Sequence, residues 1–272
     1  MRVHRRPANP RKLSDLMATD VWNPDLYARF GAERALPFHD LLSLVRARAG
    51  MRVVDLGCGT GELTALAHRT LAARETLGLD ASAAMLERAA MHAGGGLRFV
   101  QGDIGTFEGE GYDLVLSNAA LHWIPNHGPL LARLVRALAP GGQVAIQVPA
   151  NHDHRSHLLA QELASEPPFA AALGGYTRGK PVLEPEEYAH ALFRLGFREQ
   201  HVRLVVYGHP LPSRSDVVEW VRGTLLTDYQ KRLSPELWER YLATYRDRLG
   251  ASLPNDRPFL YTYKRILLWG QL

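Results

Sequence analysis

The sequence predicts an α/β fold, a mostly parallel sheet with helices on both faces. Short apolar runs alternate with helix-like stretches through residue 148, the order that builds strand–helix–strand units. One run, Met51–Leu56, passes directly into glycines at alternate positions, Gly57, Gly59 and Gly61. Another, Thr76–Leu79, stops at an acid, Asp80, nineteen residues after Gly61.

The elements follow in order. Helical periodicity marks Asp25–Phe30, Glu33–Ala47, Glu62–Leu71, Ser82–His92, Gly128–Leu138 and Glu186–Leu195. A late strand is expected over Gln200–Tyr207 and a last one over Arg265–Gly270, separated by a strongly helical stretch, Ser215–Leu249. An open sheet of this kind binds ligands at the carboxyl ends of its strands, where strand order reverses. A helical insert of about 55 residues before the last strand is placed to close over that site.

Glycines after the first strand let the backbone turn sharply and let a ligand lie against bare peptide groups. Asp80, at the tip of the second strand, is placed to accept hydrogen bonds from a ribose diol. The pair implies a nucleoside-containing cofactor. A dinucleotide calls for Gly-x-Gly-x-x-Gly, whereas Gly57, Gly59 and Gly61 are spaced Gly-x-Gly-x-Gly. Asp55 precedes the turn, where an anion disfavours a pyrophosphate and favours an ammonium. S-adenosylmethionine has a ribose, an adenine, an ammonium and a sulfonium, and no phosphate.

The stretch Val54–Gly61 resembles motif I of the class I S-adenosylmethionine-dependent methyltransferases. Phe99–Asp103 is similar to their third strand and the acid after it, Tyr112–Asn118 to the fourth strand, and Leu138–Gly142 to the turn before a fifth strand, Gln143–Val148. The resemblance implies a Rossmann-like, seven-stranded, mostly parallel sheet whose last two strands pair antiparallel, with a helical cap inserted before the last. It implies cofactor contacts from Asp55, Gly57, Cys58, Gly59, Asp80, Ala81, Met85, Asp103, Ile104, Asn118 and Ala119, with S-adenosylhomocysteine as product.

A narrower resemblance lies outside that core. Trp22–Tyr27 with Ala32–Arg34, the run Asn118–His127, and Gln147–Pro149 with Asn151 and His157 are similar to segments of the trans-aconitate methyltransferases. Pro212-Ser213, Glu219–Val221 and Tyr263–Arg265 fall in matching order. This implies substrate contacts from Trp22, Tyr27, Arg34, His122, Trp123 and Arg265, with His122 the one catalytic candidate. One departure stands out. Soon after the Trp-Val pair the family usually reads Gly-Leu-Arg-Pro; here the segment is Leu225-Leu226-Thr227-Asp228. An anchoring arginine is replaced by Thr227, and an acid that should repel a polyanion follows it.

Composition narrows the rest. At 272 residues and 46% apolar content the chain suits one large domain, residues 21–272, with cap elements over 21–47 and 213–255 behind a flexible basic extension, 1–20. The net charge of +4 is a tail effect: Arg2, Arg5, Arg6, Arg11 and Lys12 supply five cations, and the remainder carries −1. A groove that tracks nucleic acid needs its charge on the folded domain, so no nucleic-acid partner is expected. No membrane segment or signal peptide is legible, and a cytoplasmic monomer or homodimer is the default. Cys58 is the only cysteine and sits where a small side chain suits the turn. The run Asn151–His157 holds three histidines and an aspartate, but in a loop-like stretch without metal-ligand spacing, so no metal is expected.

Three functions remain open: a small-molecule carboxyl O-methyltransferase, a methyltransferase for a carbon, nitrogen or hydroxyl of a natural product, and a non-catalytic S-adenosylmethionine-binding module. Methyl transfer is an in-line displacement whose acceleration comes largely from alignment. A carboxylate acceptor is already ionised at pH 7 and needs no base, only arginines to hold its remote carboxylates.

Overall fold

The computed structural model describes residues 31–272, with side chains from residue 35. The calls on Asp25–Phe30, on the 1–20 extension, on Trp22 and Tyr27 and on the Arg34 side chain lie outside these residues. Helix α1 (Gly31–Ser43) leads into β1 (Arg52–Leu56), α2 (Glu62–Thr70), β2 (Glu75–Asp80), α3 (Ala83–Ala89), β3 (Leu97–Gln101) and β4 (Tyr112–Asn118). After a 3-10 turn at Leu121–Trp123 come α4 (His127–Arg136), β5 (Leu138–Pro149), α5 (Arg155–Ala164), α6 (Phe169–Ala172) and α7 (Pro185–Arg194). The chain ends with β6 (Glu199–Leu211), α8 (Asp216–Arg222), α9 (Thr227–Gln230), α10 (Pro235–Ser252) and β7 (Phe259–Gln271).

The seven strands form one sheet, ordered β3-β2-β1-β4-β5-β7-β6. β1 to β5 run parallel, and β7 is antiparallel to both β5 and β6. Strand order reverses between β1 and β4, so the ends of these two strands define the crevice. The inner parallel strands read as near-continuous apolar runs because both faces are covered, while the edge strand β3 leaves Arg98 and Gln101 exposed. On one face α1 and α2 bring Phe38, Leu41, Ala67 and Leu71 onto Val53, Leu114, Leu116 and Trp269. On the other, α4 and α7 bring Leu130, Leu134, Tyr188 and Leu192 onto Val54, Val115, Ile146 and Leu268.

Several expected boundaries move. Leu138–Gly142 is not a free turn: Leu138 already pairs with Tyr112, and a bulge takes up the residues before Gln143 meets Leu114. Residues 31–43, expected in a cap, pack as α1 on the sheet. The histidine-rich stretch runs into a helix, α5, whose amino end is capped by the His154 imidazole accepting from the Ser156 backbone N–H. β6 and β7 outrun their expected lengths. Gly208–Leu211 pairs with Phe259–Thr262, and Phe259, Tyr261 and Tyr263 bury alternate side chains under a separate helical core. That core joins α8, α9 and α10 to α5 and α6 through Val217, Trp220, Tyr229, Tyr241, Tyr245 and Leu163.

Candidate active site

A cavity of about 620 Å³ opens between the carboxyl ends of the strands and this helical block. At one end is the glycine turn. Gly57 N–H and Cys58 N–H both donate to the Leu79 carbonyl, at 2.7 and 3.1 Å, folding the turn back on β2. Gly57 has φ +83°, and a Cβ there would stand 2.2 Å from that of Ala120. Gly59, φ +54°, faces open space, so nothing but bare peptide borders the cavity at that point. Asp80 is held from both sides: Gly59 N–H donates to Oδ2 at 2.8 Å and Ser82 N–H to Oδ1 at 2.9 Å. Ser82 caps α3 by accepting from Met85 N–H at 3.2 Å.

Asp55 is buried behind the turn, where it does not line the cavity. The Thr64 hydroxyl donates to its Oδ2 at 2.6 Å, and Oδ1 has no partner. Burial raises its carboxyl to about 7 against the lowering effect of Thr64, with Asp80 adding to the rise. Cys58 is likewise off the wall: it is buried and its thiol is pushed up by burial, then by Asp55 and Asp80. It fills space under the turn, and its burial disfavours the thiolate that nucleophilic chemistry needs.

The opposite end is cationic. Arg265 sits well inside β7 and not at its start, yet it lies opposite Pro149, where β5 ends. It is 7% exposed, lines the cavity, and stacks over the Tyr263 ring at 4.6 Å. Among the described residues no carboxylate pairs with it. The turn after β4 presents His122 and Trp123, with ring centroids 4.8 Å apart. His127 fixes that turn, its Nε2 meeting the Leu121 carbonyl at 3.0 Å while Nδ1 meets the Tyr188 hydroxyl. Burial holds His122 well below its ordinary value, and Arg178 and Arg265 push the same way. His157 is lowered to about 3, first by burial and then by His154 and Arg178. Both shifts favour the neutral imidazole.

The cavity therefore gathers Gly57, Gly59, Asp80, Ala81, Met85, Asp103, Ile104, Asn118, Ala119, His122, Trp123 and Arg265. Sequence reasoning missed Arg178, Lys231, Arg232, Tyr176, Trp220 and His157 on the same wall. His157 and Trp220 lay in quoted motifs without being assigned a role; Arg178 carried no local signal. Thr227 and Asp228 also line the cavity. Asp228 is not a bare acid there: Arg178 Nη1 lies 3.5 Å from its Oδ2, and the Tyr176 hydroxyl donates to it at 3.3 Å.

The unpartnered, buried Asn118 Oδ1 on the cavity wall, the open cradle at Gly59 and the braced Asp80 suit a ligand with amine and diol donors and no phosphate. A family model described as a methyltransferase domain matches residues 47–189. The YcgJ protein of Bacillus subtilis shares the fold at 18% identity and TM-score 0.57, over 86% of this chain and 97% of that one. Phosphoethanolamine N-methyltransferase 2 of Haemonchus contortus, solved with S-adenosylhomocysteine, shares it at 16% identity and TM-score 0.52, over 86% of this chain and 52% of that one. Fold, site and family model together define an S-adenosylmethionine-dependent methyltransferase. The trans-aconitate 2-methyltransferase of Deinococcus radiodurans is 45% identical over 91% of this chain and 96% of its own length. That of Variovorax paradoxus is 37% identical over 92% and 98%. The chain belongs to the trans-aconitate 2-methyltransferase family.

Proposed function

We propose that the enzyme methylates a carboxylate oxygen of a small, multiply charged organic acid of the trans-aconitate type, releasing a methyl ester. The observation that carries this reading is the buried Arg265, which lines the cavity and pairs with no carboxylate among the described residues. A buried guanidinium without a counter-charge is costly, and a substrate carboxylate relieves that cost. S-adenosylmethionine supplies a methyl group on a sulfonium. Asp80 accepts the ribose hydroxyls, Asp103 and Ile104 border the adenine, and Asp55, set back from the wall, draws the ammonium toward the turn. Arg265 holds a carboxylate remote from the reacting oxygen, so the attacking oxygen keeps its charge. Trp123 and the helical block over residues 213–255 exclude water. His122 borders the acceptor but is not a base. A hydroxyl or carbon acceptor would need one, and a neutral imidazole held far below its ordinary value is poorly suited to the task.

Product mass analysis with labelled cofactor over a panel of small acids tests the reading. One added methyl, removed by mild base, is expected, with a rate at saturating cofactor that does not rise between pH 6 and 9. A base-stable methyl, or an alkaline rise abolished in His122→Ala, would replace it with a hydroxyl or carbon acceptor.

Asp55 yields a second test. A carboxyl raised in the folded protein contributes stability below its unfolded value, near 4, and loses it as pH rises through about 7. Without cofactor, the wild type should therefore lose about 2–4 kcal/mol relative to Asp55→Asn between pH 5 and 8. With S-adenosylhomocysteine the ammonium favours the ionised carboxylate, so the loss should shrink and binding should release protons near pH 6–7. Parallel melting profiles of the two proteins, with no proton release, would show that Asp55 neither carries this burden nor meets the ammonium.

A further inference from the structure

Arg178 lies in the loop before α7 and is held at several points. Its backbone N–H donates to the Tyr229 hydroxyl at 3.1 Å. Its Nη1 donates to the Thr224 carbonyl at 3.3 Å and stands 3.5 Å from Asp228 Oδ2. Its guanidinium carbon stacks 4.3 Å from the centroid of the Trp123 indole. One face and one nitrogen are thus fixed, and the side chain is 13% exposed, on the cavity wall. A guanidinium has five donors. Among the described residues no protein group engages Nε or Nη2, which leaves a fork for a pair of oxygens.

Asp228 is the other half of the device. Its contact with Arg178 is long and made to one nitrogen, so it offsets charge without occupying the fork. Its side chain is 26% exposed. Arg232 stacks over Tyr176 at 3.8 Å, and Tyr176 in turn donates to Asp228. Arg178, Lys231, Arg232 and Arg265 place four cations on the cavity wall with Asp228.

We propose that Arg178 is a second carboxylate anchor, beside Arg265, and that Asp228 is the specificity-determining residue that limits how many negative charges the acceptor carries. The proposal rests on the carboxylate reading above. Thr227 and Asp228 then mark a relocated anchor: the guanidinium comes from Arg178, across the cavity wall, while Thr227 only donates its hydroxyl to the Thr224 carbonyl at 2.7 Å. Each substrate carboxylate drawn to Arg178 approaches Asp228, and each further carboxylate adds to the repulsion.

The test is calorimetric binding of crotonate, fumarate and trans-aconitate, with one, two and three carboxylates, to the full chain loaded with S-adenosylhomocysteine, alongside initial rates. Asp228→Asn should tighten the tricarboxylate about tenfold and the dicarboxylate about threefold, and leave the monocarboxylate within about twofold. Asp228→Glu keeps the charge and should keep the wild-type ranking. Arg178→Ala should weaken the di- and tricarboxylate about thirtyfold or more, with Arg178→Lys restoring part, because an ammonium lacks the fork. Equal weakening of all three acids in Asp228→Asn, or an unchanged tricarboxylate in Arg178→Ala, would overturn the proposal. If the acids bind with this ranking but no methyl is transferred to them, the anchor stands and the carboxyl-methylation reading falls. If they are methylated while the ranking ignores Asp228, only the anchor falls.

Discussion

Asp80→Ala is expected to weaken binding of S-adenosylhomocysteine by about 1.5–3 kcal/mol, roughly ten- to a hundredfold, the range for losing hydrogen bonds to a charged acceptor. Two effects combine. The ribose diol loses its acceptors, and the backbone N–H groups of Gly59 and Ser82 lose the carboxylate that braces the turn. Asp80→Asn separates them. It keeps one side-chain oxygen for the backbone but gives up the charge, and should fall between wild type and alanine. Calorimetry on the three proteins measures the series, with NAD as the control ligand that should not bind any of them, since Asp80 borders the cradle at Gly59 and, among the described residues, no lysine or arginine lines that end of the cavity. Unchanged cofactor affinity in Asp80→Ala would remove the acid from the cofactor site.

The centre of the sheet was legible because β1 and β2 are buried on both faces and so appear as apolar runs ending in glycine or an acid. Val53, Val54 and Leu56 before Gly57 state that directly, as do Leu77 and Leu79 before Asp80. The outer pair was harder. The distal halves of β6 and β7 bury only alternate residues, such as Phe259, Tyr261 and Tyr263, with Leu260 exposed between them. A pattern of period two beside a helical insert is easily read as loop. α5 was hidden by its cap, since an imidazole accepting from Ser156 is an unusual way to start a helix. In the site, Asp80 and Gly59 were legible because one turn fixes them locally. Arg178 was not, because Trp123, Thr224 and Asp228 fix its place and are remote in sequence. The same remoteness made Asp228 read as an uncompensated acid when its partner is Arg178.

Arg265→Ala should raise KM for di- and tricarboxylates about thirty- to a hundredfold while kcat stays within a few-fold, because the lost contact is to a carboxylate that does not react. Arg265→Lys should recover part of the loss, limited by the missing bidentate geometry. Stability distinguishes this role from a structural one. Arg265 is 7% exposed, on a β-strand, with the Tyr263 ring as its neighbour and no carboxylate partner among the described residues. If it served the fold, truncation would remove packing and lower Tm. If it is a buried cation awaiting an anion, truncation removes a desolvated charge, and Tm without ligand should stay level or rise. The same variant should then lose the thermal shift that trans-aconitate confers on the protein loaded with S-adenosylhomocysteine, since a ligand stabilises only in proportion to its binding. A fall in Tm of several degrees with unchanged KM for acids would assign Arg265 to the sheet and leave the substrate end of the cavity to Arg178 and its neighbours.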